Sequence, residues 1–220
     1  MREAVFMSEV TASITHDVQN VLAIIQQSAG LMSDLLDLSR RESLKSLGLR
    51  KGFPYHDKFK TLIGAINEQV DRGTGLSEGL NRLAHAVDER PGPTDAAGMA
   101  GLLFFLIGRI ARKRRVAFAL ETSGPVPVDC SPMAALLGMY AVARALIDAL
   151  SDCAVRVRVE MRGAEPVVVF LLPEGGEGGA SVGLPTEMVL GDGAVSIRLD
   201  FRDDRIAMVF PSCPSSGQAG

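Results

Sequence analysis

A histidine, a carboxylate and an amide lie close together near the N-terminus, at His16, Asp17 and Asn20. Neutral imidazole is common near pH 7, and its unprotonated ring nitrogen is a nucleophile. Asp17 could hold or trade the imidazole proton, and Asn20 would lie one helical turn beyond His16 on the same face. These residue types predict nucleophilic or acid/base chemistry centred on His16.

The residues around His16 have the apolar spacing of an amphipathic helix. Apolar residues three, four or seven apart form a seam of Met7, Val10, Ile14, Val18, Val21, Ile25, Met32 and Leu35. His16 lies off this seam, so we expect it to face solvent. A lone histidine on a helix is more often a plain surface residue, and here its neighbours favour a functional one. The helix is predicted over residues 3–47, with a break after Leu38.

A second amphipathic helix is predicted up to about Asp88, after a turn rich in glycine and proline at 48–55. Two long helices with a short connection form an antiparallel hairpin. Gly73, Gly75 and Gly79 each cost about 1 kcal/mol of helix stability relative to alanine, so this stretch is either a weak point of the helix or a place of close helix contact, and we favour close contact. The apolar seam would be buried most simply against a second copy, so the hairpin predicts a homodimer.

The segment Arg90–Asp95 is the clearest domain boundary, because two prolines and a glycine stop the helix and Thr94 or Asp95 can cap the next one. Helices are predicted at Ala96–Arg114 and Pro132–Leu150, the latter capped by Ser131. Five strands are predicted: Val116–Leu120, Val155–Met161, Val167–Leu172, Ala194–Phe201 and Arg205–Phe210. The predicted domains are therefore a helical hairpin at 1–90, an α/β domain at 95–211 and a disordered tail at 212–220.

Composition indicates a soluble protein with a sizeable core, since 47% of the 220 residues are hydrophobic and the net charge is −3. This charge gives no pull toward nucleic acid. The longest apolar run, Met99–Ile107, is far below the roughly 20 residues that span a bilayer, and no secretion signal precedes the helix. Cys130, Cys153 and Cys213 form no pair typical of a disulfide framework or zinc site. We expect a cytoplasmic protein that binds neither membrane nor nucleic acid.

The run from His16 to Ile25 resembles the phosphoacceptor box of the sensor histidine kinases, which reads His, then Glu or Asp, two variable residues, Asn or Thr, and apolar residues. It departs at Val21, where many members carry proline. In that family two hairpins dimerise into a four-helix bundle with the histidine outside. The resemblance implies His16 as phosphoacceptor, Asp17 as its acid/base partner and Asn20 as a polar group near the phosphoryl group or an attacking water.

The element order after residue 95 resembles the ATP-binding domain of these kinases, an α/β sandwich with helices on one face of a mixed sheet. In working kinases the second helix carries asparagines that reach magnesium and phosphate, whereas this chain has the run Tyr140–Ala145. Alanine offers magnesium no oxygen ligand. The glycine-rich run Pro173–Gly179 lacks the aspartate that reads adenine and favours a flexible loop. We therefore expect the kinase shape without nucleotide binding.

The predicted fold class is α+β, with an N-terminal helical hairpin forming a dimeric four-helix bundle, followed by a degenerate histidine-kinase ATPase-like α/β sandwich. The chain looks like the dimeric histidine phosphotransferases of bacterial phosphorelays. That resemblance implies a relay between His16 and receiver-domain aspartates, no cofactor bound by this chain, and magnesium supplied by the receiver. Response-regulator receivers and an upstream hybrid kinase are the implied partners. Helical phase makes Val21, Leu22 and Ile24 candidates for the apolar receiver contact.

Two alternatives remain open at this point. A catalytically dead kinase homologue could act as a receiver- or kinase-binding module, and its binding would survive His16→Ala. An active kinase with an unusual nucleotide site would bind ATP and magnesium measurably. The relay itself is a phosphotransferase activity, and we do not expect an ATP-dependent kinase.

Overall fold

The computed structural model describes residues 3–45, 54–88, 92–173, 183–190 and 195–213. These residues form helices α1 (Glu3–Lys45), α2 (His56–Asp88), α3 (Ala96–Arg112) and α4 (Pro132–Ala149). They also form strands β1 (Pro93–Asp95), β2 (Val116–Thr122), β3 (Pro127–Asp129), β4 (Cys153–Arg162), β5 (Glu165–Leu171), β6 (Glu187–Leu190), β7 (Val195–Arg202) and β8 (Arg205–Val209). Most of the predicted turn at 48–55, of the glycine-rich run and of the predicted tail lies outside the described residues.

The long helix α1 continues to Lys45, so the break predicted after Leu38 is wrong. Serine costs a helix only a few tenths of a kcal/mol, which neighbouring contacts can offset. One such contact is the Tyr55 hydroxyl, which donates to Glu42 Oε1 at 2.9 Å near the end of α1. Far from the connection between the two helices, Asp17 of α1 contacts Arg72 of α2. Together the two contacts confirm that α1 and α2 run antiparallel as a hairpin.

The chain divides into two compact units, whose limits differ from those of the predicted domains. One unit spans Ile14–Glu78 and is the hairpin proper. The other combines the described residues up to Ser13 with those from Gly79 onward. The first turns of α1 and the last turns of α2 therefore belong to the same unit as the strands.

A six-stranded mixed sheet forms the α/β part, in the order β2-β4-β5-β8-β7-β6. Only β2 and β4 pair in parallel, and the other neighbours are antiparallel. Phe104 of α3 stacks on Phe118 of the sheet at 4.9 Å between ring centroids. At Gly138 of α4, an added Cβ would lie 2.6 Å from Ile197 Cδ1. Both helices therefore pack on one face of the sheet, which confirms the α+β class with an α/β sandwich after the hairpin.

Two predicted helix caps are confirmed, because both starts have a side chain that accepts backbone hydrogens. Asp95 accepts from Ala97 N and Gly98 N, at 3.1 and 3.0 Å. Ser131 Oγ accepts from Ala134 N at 3.2 Å. The short strands β1, β3 and β6 were not predicted, since three or four residues are too few for alternation to show.

By length and composition alone, α4 and the segment Glu3–Glu42 of α1 could cross a membrane. Buried core helices also meet this criterion, and 78% of the α4 span is buried inside the fold. The criterion therefore does not by itself assign either helix to a membrane.

Candidate functional site

His16 is exposed on α1, as its position off the apolar seam predicted. Its Nδ1 lies 3.2 Å from Asn20 Nδ2, one helical turn further along. The Asn20 carboxamide has a donor and an acceptor, so it can serve either neutral tautomer of the imidazole. When Nδ1 carries the proton and the amide oxygen accepts it, Nε2 keeps its lone pair on the far side of the ring. In that arrangement Nε2 is the nucleophile.

Asp17, next to His16, is turned into the hairpin and is only 8% exposed. Its Oδ2 lies 3.4 Å from a guanidinium nitrogen of Arg72 on α2. A buried carboxylate is tolerated when a cation compensates its charge. The predicted acid/base role of Asp17 stays a prediction, and its ion pair with Arg72 joins the two helices beside His16.

The helices approach closely where α2 carries glycine. A Cβ placed on Gly73 would lie 3.4 Å from Val21 Cγ1, which is ordinary contact for two side chains. Close contact was predicted for this glycine-rich stretch, and at Gly73 it is confirmed. Arg72 was not predicted as a site residue, although it is the only lysine or arginine in residues 61–78. That isolation was the signal available in the sequence.

The three predicted receiver contacts do not form one surface. Val21 is only 4% exposed and packs inside the hairpin, so its prediction as an accessible contact is corrected. Leu22 and Ile24 are 59% and 38% exposed. Successive helix residues are about 100° apart, so Leu22 lies about 120° from His16 in one direction and Ile24 about 80° in the other. Of the three, Ile24 alone combines exposure with the side of α1 on which His16 and Asn20 lie.

The α4 stretch that replaces the expected asparagines is engaged in packing within the α/β unit. Tyr140 is 0% exposed, and its ring centroid lies 4.8 Å from that of Phe6. Its hydroxyl donates to Glu9. Burial, followed by this hydrogen bond, raises the pKa of Tyr140 well above its ordinary value. Arg144 pairs with Asp148 at 3.3 Å and lies 3.8 Å from Glu9.

The other reactive side chains and the groove among the described residues are weaker candidates for a functional site than the surroundings of His16. Burial raises the pKa of Cys130 to about 12, which keeps this thiol protonated at neutral pH. A groove of about 650 Å³ on the outer strands includes Arg198, which pairs with Glu165 and Asp200 at 3.6 and 3.5 Å. In the described part of the chain, no group of three His, Cys, Asp or Glu could hold a metal ion. The surroundings of His16 are therefore the best candidate site.

No family model and no curated protein matches the sequence. Among solved structures, the histidine kinase AdeS of Acinetobacter baumannii is similar at 10% identity, covering 90% of this chain and 98% of that chain, with a TM-score of 0.42. A bacterial phosphotransferase is similar at 12% identity, covering 95% and 97%, with a TM-score of 0.44. The histidine kinase ThkA, in complex with the response regulator TrrA, shares 14% identity over 97% and 64%, with a TM-score of 0.41. Similarities with sequence identities and TM-scores this low support no conclusion about function.

Proposed function

We propose that this protein is a histidine phosphotransferase of a two-component phosphorelay, in which His16 carries a phosphoryl group between receiver-domain aspartates. The observation that supports this most is the exposed imidazole of His16, whose Nδ1 contacts Asn20 at 3.2 Å. The Asp17–Arg72 ion pair beside it adds a cation to the same site. The resemblance of residues 16–25 to a phosphoacceptor box gives the same assignment.

The phosphoryl transfer requires little covalent chemistry from the protein. The lone pair of His16 Nε2 forms the N–P bond as the aspartyl O–P bond breaks, and that bond's electron pair returns to the receiver's carboxylate. The proton stays on Nδ1, where the Asn20 amide would accept it once turned to present its oxygen in place of Nδ2. Positioning and charge neutralisation supply most of the catalysis in such transfers. The reverse reaction delivers the phosphoryl group to a second receiver.

The packing of α4 favours a receiver over ATP as the phosphoryl source. Ala141 and Ala143 are 7% and 0% exposed, and the neighbouring Tyr140 hydroxyl is bonded to Glu9. A nucleotide phosphate with magnesium needs free oxygen ligands, which these residues do not offer. In this proposal the acidic pocket of the receiver supplies the magnesium.

An exposed apolar surface on the hairpin favours pairing with a second copy. Leu22, Leu36, Ile63 and Val70 are between 45% and 59% exposed. Leu22 and Leu36 are two heptads apart, and Ile63 and Val70 are one heptad apart. Arg72 lies beside His16 in the hairpin, and Val70 is about 200° around α2 from Arg72. In an antiparallel pair these apolar positions therefore fall on the edge of the hairpin opposite His16. A homodimer would bury this surface in a four-helix bundle and leave both His16 side chains outside.

The receiver would then dock on the other edge. Ile24, Leu31 and Leu38 lie one heptad apart on the His16 side of α1 and are 38%, 46% and 46% exposed. Apolar contacts of this kind give a transient docking surface beside the reacting nitrogen. Leu31 and Leu38 were not predicted as receiver contacts, because they do not belong to the apolar seam found in the sequence.

The test is phosphoryl transfer to the full chain from a receiver domain radiolabelled on its aspartate with acetyl phosphate. We expect an acid-labile label on the wild type and none on His16→Gln. His85→Gln removes a second exposed histidine and should keep the label. No label on the wild type, or label retained by His16→Gln, would contradict the proposal. Binding of the receiver without label would instead indicate a catalytically dead binding module.

A further inference from the structure

The cation at the His16 site is isolated in the hairpin. Residues 14–39 of α1 contain no lysine or arginine, and residues 61–78 of α2 contain only Arg72. Within residues 14–78, the next cations along these two helices, Arg40 and Lys60, lie about 36 Å along α1 from His16 and about 18 Å along α2 from Arg72. Among the described residues of the hairpin unit, 14–45 and 54–78, Arg72 is therefore the cation placed to offer positive charge to a phosphoryl group on His16.

Arg72 also lies at the same height along the hairpin as His16. Its guanidinium is 3.4 Å from Asp17, the residue that follows His16, and its neighbour Gly73 lies against Val21. The glycine has no side chain to separate the helices, so the base of Arg72 is close to α1. Arg72 is therefore on the same edge of the hairpin as His16 and Asn20.

The Asp17–Arg72 pair is asymmetric in exposure. The Asp17 side chain is 11% exposed, whereas that of Arg72 is 42% exposed. The carboxylate is thus fixed inside the hairpin, while the guanidinium reaches solvent and has room to turn. Its planar fork of donors matches phosphoryl oxygens as well as it matches a carboxylate.

Phosphorylation would place close to two negative charges beside the carboxylate of Asp17. Without a cation, that arrangement would be repulsive. We propose that Arg72 binds the phosphoryl group of phosphorylated His16, with its guanidinium shared between the phosphoryl oxygens and Asp17. Arg72 would then neutralise charge during transfer as well as in the phosphorylated resting state. This inference rests on the proposed role of His16 as phosphoacceptor.

The experiment uses phosphoramidate, a chemical donor that phosphorylates histidine without any receiver. The full chain carries His56→Gln and His85→Gln, so that the ³¹P signal comes from His16. A contact with guanidinium favours the phosphoryl dianion and lowers the pH at which this signal titrates. We expect Arg72→Gln to raise the titration midpoint by about one pH unit, and Arg72→Lys to restore part of the difference.

Lys60→Gln is the matched control, because it removes the same charge from α2 far from the site. It should titrate like the parent protein. Circular dichroism and thermal melting show whether the hairpin is intact in each variant, and Arg72→Lys keeps a partner for Asp17. With a phosphorylated receiver, Arg72→Gln should lower kcat about tenfold or more with little change in KM, since Arg72 contacts the phosphoryl group and not the receiver.

Equal titration midpoints for Arg72→Gln, Lys60→Gln and the parent would overturn the role of Arg72 while leaving His16 as phosphoacceptor. Failure of His16 to accept a phosphoryl group from phosphoramidate and from a receiver would overturn both proposals.

Discussion

The imidazole of His16 has two nitrogens with different surroundings, and the proposed chemistry of the site depends on this difference. Asn20 Nδ2 lies 3.2 Å from Nδ1, and Nε2 is on the far side of the ring from this contact. The amide restricts rotation of an exposed ring that would otherwise sample several rotamers. Asp17 lies inside the hairpin and forms an ion pair with Arg72.

Asn20→Ala tests this orienting contact. Without the amide the ring is free to rotate, so we expect His16 phosphorylation by a receiver to slow about 10- to 100-fold. Rapid-quench kinetics measures the rate, and calorimetry should show receiver affinity unchanged. A rate equal to that of the wild type would mean that the 3.2 Å contact has no catalytic role.

The two glycines at 73 and 79 show how the second helix is adapted to its neighbours. Both cost helix propensity, yet they have different surroundings. A Cβ on Gly73 would be 3.4 Å from its nearest neighbour, Val21 Cγ1, whereas one on Gly79 would lie 3.0 and 3.2 Å from atoms of the Phe105 ring. Space for a methyl group therefore exists at Gly73 and is restricted at Gly79.

Gly73→Ala should stabilise the protein by up to about 1 kcal/mol, because alanine restores helix propensity and fits the available space. Gly79→Ala gains the same propensity but must displace the Phe105 side chain, so its melting temperature should be lower than that of Gly73→Ala. Thermal denaturation followed by circular dichroism compares the two variants. The reverse order of melting temperatures would contradict the packing described here.

Amphipathic spacing predicted both long helices within a few residues, because a seam over many turns is a strong signal. It also predicted the exposure of His16. The Asp17–Arg72 pair could not be predicted, since it depends on the register of α2 against α1 and not on either helix alone. The separation of Val21, Leu22 and Ile24 could have been predicted, since Val21 belongs to the apolar seam and helical phase alone puts Leu22 and Ile24 on different sides of α1.

The hairpin exposes apolar residues that pairing with a second copy would bury. The exposed apolar residues Leu22, Leu36, Ile63 and Val70 would leave a costly surface in water on a single chain. A second copy that covers them would leave the His16 edges free for receivers. The proposed relay therefore requires a dimer whose docking edges face outward.

Sedimentation equilibrium should give twice the chain mass of 23.4 kDa for the wild type. The double substitution Leu22→Glu/Val70→Glu places like charges in the proposed interface and should give the mass of one chain. Leu31→Glu, on the His16 edge, is the matched control and should remain dimeric while weakening receiver binding. A wild type with the mass of one chain would contradict the four-helix bundle.

The most direct test of the account is a relay between two receivers of different size. The first is radiolabelled on its aspartate, freed of the labelling reagent and mixed with the second in the presence or absence of the full chain. We predict that label appears on the second receiver with the wild-type chain and not with His16→Gln, while His85→Gln behaves as the wild type. Transfer that proceeds equally with His16→Gln, or no transfer with the wild type to any tested receiver pair from the same genome, would contradict a relay through His16.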